Sequence, residues 1–178
     1  MIFRRLTALI LCLTLLCSLS ASAFAVEFPD VSPEHWAYAD IQTAAGLGLI
    51  QGLDDGTFRP EERLDRAGFV TILQRMFGWE TVTPETPSFT DVSPGDWYYA
   101  AVETALANGV VEPGGTFQPA AYVTRQDMAV MLVRALGYET LALDIAATAA
   151  PFPDVTEYAG HIALAAAFGL TTGVEVDG

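Results

Sequence analysis

Apolar positions recur along this chain at the spacing of helix faces. Trp36, Ala37, Ile41 and Ala44 line one stripe, and Trp97, Ala101, Val102 and Ala105 line another. A second pair of runs follows: Phe69, Ile72, Leu73 and Met76, then Met128, Met131, Leu132 and Ala135. Val70, Val130 and Val133 widen those two faces, which predicts helices apolar on most of their circumference and therefore central. The first helix is predicted from about His35 to Ala45, with Ser32-Pro33 as N-cap and first helical residue. Ser93-Pro94-Gly95-Asp96 opens its counterpart, with Asp96 placed like a capping-box acid. Asp65 and Thr124 are the N-caps of the second helices. Thr124-Arg125-Gln126-Asp127 reads as a capping box, whereas Gly68 stands where Asp127 stands and predicts a weaker start. Gly48, Gly109 and Gly169 end the first helices, and Gly78 and Gly137 end the second, since glycine tolerates the left-handed C′ position.

These elements come in copies. Phe28-Pro29-Asp30-Val31-Ser32-Pro33 returns as Phe89-Thr90-Asp91-Val92-Ser93-Pro94, Trp36 as Trp97, Phe58-Arg59-Pro60 as Phe117-Gln118-Pro119, and Asp65-Arg66 as Thr124-Arg125. A third copy opens at Phe152-Pro153-Asp154-Val155. It puts Tyr158 near the Trp position, one residue out of step, and keeps Ile162, Ala165 and Gly169. Such a period marks a stacked-repeat fold in which no single unit buries its apolar face alone. The connector Asp54-Asp55-Gly56 is too short for a calcium-binding EF-hand loop and reads as turn chemistry. Phe58 and Phe117 are predicted to plug the core, and Pro60 and Pro119 to stop the extended segment. Thr81 to Ser88 and Leu141 to Pro151 are linkers, the second with the makings of a helical turn.

The combination Phe-x-Asp-Val with a Trp further on, Gly-Leu-Gly-Leu-Ile-Gln-Gly, Gly-Thr-Phe-x-Pro and Thr-Arg-x-Asp resembles the S-layer homology (SLH) module. The resemblance covers nearly all of the chain after residue 27. It implies an all-α fold of pseudo-threefold repeats, each helix–connector–helix, with the second helices forming a central bundle and the first projecting as prongs. The divisions are residues 1–25 for a signal peptide, 26–80 for repeat 1, 88–139 for repeat 2 and 151–178 for a truncated repeat 3. With a third central helix missing, the expectation is an incomplete bundle with an exposed apolar groove on the second helices, marginal stability, or completion by another chain. The chain's end at Gly178 reads as a truncated reading frame.

Composition narrows the function. The 178 residues are 52% hydrophobic, enough for a core, and carry 22 acidic residues against 8 arginines and no lysine, a net charge of −14. So acidic a surface repels phosphate backbones and anionic lipid, which argues against nucleic acid and membrane partners. Met1 to Ala25 reads as a secretory signal: Arg4 and Arg5, an apolar run from Leu6 to Leu19, and cleavage after Ala25. The run is shorter than the ~20 residues of a bilayer span. Cys12 and Cys17 both lie in it, so the secreted chain has no disulfide, no Cys-ligated metal and no Cys nucleophile.

Candidate chemistry centres on the few cations. Arg66 and Arg125 occupy the same place in the first turn of the second helices, where helix N–H groups and a guanidinium fork suit a carboxylate. An intrachain ion pair to Asp30 or Asp91 is the alternative, and the residues alone leave both open. Arg75 and Arg134 also repeat and read as cations favourable to a helix C-terminus. Trp36 and Trp97 suit either a sugar face or a core anchor. Asp30, Asp91 and Asp154 are expected to fix the entry to the first helix. His35 and His161 occupy non-equivalent places and are expected to be solvated helix residues. No nucleophile, zinc or phosphate-loop motif is present, so no catalytic residue, metal or cofactor is assigned.

The resemblance implies a secreted, non-enzymatic module at the cell wall and surface layer. Its partner is a secondary cell-wall polysaccharide or peptidoglycan-linked glycan, held by an acidic substituent such as a pyruvate ketal on an amino sugar. Arg66, Arg125, Trp36, Trp97, Asp30, Asp91, Gly48 and Gly109 form the glycan-binding set it implies. Two alternatives stand beside it: an assembly fragment that completes its bundle with another SLH chain, and the anchor of an enzyme whose catalytic domain lies elsewhere.

Overall fold

The computed structural model describes residues 26–149 and 152–173. The signal-peptide reading of residues 1–25 lies outside them, as do the last residues of the third copy. Among the described residues the secondary structure is helical, with one isolated antiparallel bridge. The chain divides into two compact units that meet in sequence at Pro60.

The first unit holds α1, Tyr38–Gly46. Phe28, Val31, Ile41 and Ala45 form its buried core, with Ala37, Tyr38, Ile50 and Phe58 packed around them. The helix starts later than its sequence suggests. Ser32 does not cap it; the Ser32 carbonyl accepts from His35 N, and the His35 carbonyl in turn accepts from Tyr38 N. Two successive turns thus occupy the residues before the helix, whose N-cap position falls on Ala37 without a side-chain cap. The second copy behaves alike. Asp96 does accept the N–H of Ser93 at 2.7 Å, so half the expected box exists, but it closes a turn. The helix follows only at Tyr99.

The second unit holds α2 (Arg66–Phe77), α3 (Tyr99–Ala107), α4 (Arg125–Ala135), α5 (Glu139–Ile145) and α6 (Ala159–Ala167). α2 packs on α3 and α4, and α6 packs on α4 and α5. One core gathers Val70, Leu73, Phe89, Val102, Val110, Phe117 and Met131, and a second gathers Ala129, Val133, Ala142, Ile162 and Ala165. The buried stripe of α2 is Ala67, Phe69, Val70 and Leu73. Val70 is therefore central to it, and Met76, expected inside, is exposed. Ile72 and Phe77 on α2 and Met128 and Leu132 on α4 are half-buried. Phe117 plugs the core as expected, while Phe58 is half-buried against Phe28. The second linker starts inside a helix, α5, which ends at Ile145.

Caps follow the sequence closely at the other ends. Asp127 and Thr124 exchange hydrogen bonds as a complete capping box at the start of α4. Asp65 accepts from Gly68 N at 2.7 Å, and glycine returns nothing, so α2 has half of one. After α1, α3 and α6 the same double closure recurs. Gly48, Gly109 and Gly169 take φ near +70° and donate to the carbonyl three residues back, and the next residue donates to the carbonyl five back.

The Phe-x-Pro connectors are pinned by the repeated aspartates. Asp30 accepts from the N–H groups of Phe58 (2.9 Å) and Arg59 (2.7 Å), and Asp91 from those of Phe117 and Gln118 (both 2.8 Å). Arg59 (φ 58°) and Gln118 (φ 60°) are left-handed, a conformation that costs a non-glycine residue about 1–2 kcal/mol. Two N–H bonds to one carboxylate hold each there. The aspartates thus fix the connector, rather than the entry to the first helix, by clamping a segment 27 residues away in copy two. The Asp54-Asp55-Gly56 stretch is a turn: Asp55 accepts from Thr57 N, Thr57 Oγ1 and Arg59 Nη2. Those bonds, the Thr57 hydroxyl first, hold its carboxyl down to about 2.

The linker before copy two is strapped to α3. Thr104 Oγ1 accepts from Val82 N, Tyr99 donates its hydroxyl to the Pro84 carbonyl, and the buried Glu103 accepts from both N–H and hydroxyl of Ser88. α6 meets α5 through Gly160, where an added Cβ would stand 1.8 Å from the Ala142 carbonyl oxygen.

Two outcomes follow. Gly160→Ala should lower stability by about 1–3 kcal/mol through overpacking, read as a reduced denaturation midpoint, while Gly46→Ala, which meets no neighbour, should not. The N–H groups of the connector hold the Asp30 carboxyl below its ordinary range; for Asp91, burial pushes up and the same kind of bonds outweigh it, leaving it low. A depressed folded-state pKa stabilises above the unfolded value and is lost as pH falls through the folded one. Asp91→Asn should therefore melt lower than the parent at neutral pH and lose less on acidification below about pH 4.

Candidate functional site

The site is built where copy one's second helix meets copy two's connector. The first-turn N–H groups of α2 are already used: Arg66 N donates to the Ala121 carbonyl at 2.9 Å, and Ala67 N to that of Pro119 at 3.1 Å. Asp65 pairs with Tyr122 in the bridge, and Val123 N donates to the Leu64 carbonyl. The expected anion site on helix N–H groups is thus filled by backbone at α2, while at α4 the Thr124 hydroxyl accepts from Asp127 N and the Asp127 carboxylate accepts from the N-cap Thr124 N.

The guanidinium remains. Arg66 donates from Nε to the Phe117 carbonyl at 3.0 Å, lies over the Phe117 ring at 5.1 Å, and brings Nη1 within 3.3 Å of Asp127 Oδ1. Its carboxylate partner is therefore Asp127, neither Asp30 nor Asp91. Asp91 holds the N–H of Phe117 while Arg66 holds its carbonyl, so the two predicted residues meet on the two sides of one connector residue. Beside them opens a cavity of about 290 Å³, lined among others by Arg66, Val111, Phe117, Asp127, Arg134 and Tyr158. The Arg66 side chain keeps 20% of its surface. It is half-sequestered with an opening to solvent, an arrangement that strengthens an electrostatic contact without closing it off.

Arg125 is exposed and makes the corresponding reach into copy three. Its Nη2 donates to the Thr172 carbonyl at 2.7 Å and to Thr171 Oγ1 at 3.2 Å. Both predicted arginines therefore join one repeat's second helix to the next repeat's connector.

The tryptophans are not core anchors. Trp36 is 82% exposed and Trp97 69%, each braced by its neighbour: His35 at 5.6 Å for the first, Tyr98 edge-on at 5.3 Å for the second. Neither belongs to the lining of the cavity beside Arg66. Gly48 and Gly109 are helix ends; Val110 and Val111, which follow Gly109, line the cavity.

Four residues here escaped the sequence reading. Arg134 was assigned to the α4 dipole and does stand in its last turn, but it also pairs with Glu112 (2.6 Å) and Glu139 (2.9 Å) and lines the cavity. His161 is not solvated: it is buried and sits 2.7 Å from Glu139. Burial works against the Arg134 charge, yet its two carboxylate partners raise its pKa. Burial likewise pushes the Glu139 carboxyl up, and His161 and Arg134 outweigh it and hold it low. Glu139 repeats Glu80, two residues after the glycine that ends each second helix, whereas Glu112 and His161 occur in one copy each, so the repeat pattern could not point to those two. Their break from that pattern was the available signal.

The comparisons agree with this architecture. The family model for the S-layer homology domain matches residues 27–69 and 88–129. Cell surface glycoprotein 1 of Acetivibrio thermocellus is 33% identical over 147 residues, 75% of this chain and 6% of that protein. S-layer protein sap of Bacillus anthracis is 35% identical over 64% of this chain and 14% of its own length. A cellulosome-anchoring protein of Acetivibrio thermocellus is 30% identical over 62% of this chain and 26% of its own. The chain thus spans a small part of these relatives. The matched residues carry the pinned connectors, the paired arginines and the exposed tryptophans of both copies, and the chain is a cell-surface protein with S-layer homology domains at 27–69 and 88–129.

Proposed function

We propose that this wall-anchoring module holds a secondary cell-wall polysaccharide through an acidic substituent, such as a pyruvate ketal on an amino sugar, without catalysing any reaction on it. The observation that carries the reading is Arg66: in a chain of 22 acidic residues, a guanidinium faces an open groove large enough for a sugar ring. Its Asp127 contact, at 3.3 Å, is long for a charge-assisted hydrogen bond, so a ligand carboxylate offering two oxygens competes well with it. Phe117 and Val111 give that groove an apolar wall for a ring face. Arg125 also reaches into the following repeat, more exposed and bound to neutral oxygens. Trp36 and Trp97 present their indole faces to solvent, as sugar stacking needs. Asp30 and Asp91, with Gly48 and Gly109, act by shaping the connector and helix ends rather than by direct contact.

A sedimentation assay on purified wall sacculi tests it. Arg66→Ala together with Arg125→Ala should weaken retention at least tenfold, since each lost charge-assisted bond is worth about 1.5–3 kcal/mol. Retention equal to the parent's would remove the arginines from the binding role. Sacculi stripped of their acidic polymer should retain neither protein. Trp97→Ala, at an exposed position, should fold normally and bind less well.

A further inference from the structure

The groove beside Arg66 holds a second cation whose charge is answered twice over. Arg134 donates from Nη2 to Glu112 Oε1 at 2.6 Å and from Nε to Glu139 Oε2 at 2.9 Å. His161 Nε2 lies 2.7 Å from that same Glu139 oxygen. The Arg134 side chain is 10% exposed and that of His161 3%, while their carboxylate partners Glu139 and Glu112 keep 40% and 67% of their surface toward solvent. Arg66, Arg134, Glu112, Asp127 and Tyr158 all line the one cavity. Tyr158 sets its ring edge-on to His161 at 5.7 Å from a left-handed backbone, φ 53°.

The charges can be counted. Arg66 and Asp127 cancel. Arg134 stands against Glu112 and Glu139, leaving one negative charge beside the groove. A neutral His161 leaves it there; an imidazolium removes it and takes up Glu139. The groups that face His161 are Glu139 from α5, Arg134 from α4 through the shared oxygen, and the Tyr158 phenol from the turn before α6. The other ionic groups of α4 are engaged elsewhere, Arg125 with Thr171 and Thr172, Asp127 with Thr124 and Arg66.

We infer that His161 is a proton-operated positioning residue that sets how tightly the groove holds an anion. This rests on the reading of that groove as an acidic-sugar site. Protonating His161 gives Glu139 a second full cation, so Arg134 is no longer neutralised twice and is available to a carboxylate in the cavity. Anion binding then tightens in mild acid, and by linkage the bound anion draws a proton onto the protein. No bond to the glycan is made or broken.

The test titrates the full chain with the methyl glycoside of an amino sugar bearing a pyruvate ketal, by calorimetry from about pH 5 to 8, the span over which an imidazole changes charge. The expected result is binding about fivefold to tenfold tighter at the acid end, with proton uptake revealed by buffers of different ionisation enthalpy. His161→Gln should bind with the parent's high-pH affinity at every pH. Parental binding that is flat with pH, or a slope that survives in His161→Gln, overturns the inference. If circular dichroism shows that His161→Gln does not fold, Glu139→Gln replaces it. That variant removes the charge the imidazolium would answer, so it should bind tightly and without slope, and a retained slope overturns the inference. Absence of parental binding at every pH would instead overturn the acidic-sugar reading, and the inference with it.

Discussion

One carboxylate per repeat, taking two backbone N–H groups from a distant connector, is the constraint on which the arrangement depends. Asp91 holds Phe117 and Gln118, and Asp30 holds Phe58 and Arg59. The residue after each Phe is left-handed, which nothing in an Arg or a Gln favours. Fixing that kink turns the Phe117 ring into the core and its carbonyl outward. The ring is 2% exposed and seals the main core; the carbonyl receives Arg66. A carboxylate that did not hold its connector would release the plug and the arginine's platform together.

That platform makes the arginine a joint between repeats. Arg66 crosses from one repeat to the next, as does Arg125, and each touches carbonyl oxygen of the following connector. The backbone supports the first crossing, with the opening N–H groups of α2 spent on the carbonyls of Ala121 and Pro119. Stacked repeats need such interface bonds because each hairpin alone is too small to bury its faces. The groove arises at the same junction, so the groups that hold consecutive repeats together, Arg66 and Phe117, also line it.

The chain's acidity gives that junction its meaning. Local cations stand out against a net charge of −14, and their strength is set by which carboxylates lie next to them. Asp127 answers Arg66 at one end of the groove, and Glu112 with Glu139 answers Arg134 at the other. His161, buried, sits against that same Glu139 oxygen at 2.7 Å.

Local signals alone determined the repeats, the capping box at Thr124, the half-box at Asp65, the glycine helix ends and the shared position of Arg66 and Arg125. Each depends on residues within a turn or two of one another, where spacing dictates geometry. Ser32-Pro33 predicts a helix start yet opens a turn, because turns and helix starts share their first residues, and the helix begins only where Ile41 and Ala45 pack. The partner of Arg66, the targets of Asp30 and Asp91, the exposure of the tryptophans and the burial of His161 were decided by the tertiary structure. Those depend on contacts across tens of residues, between side chains that the chain brings together only once its helices have packed.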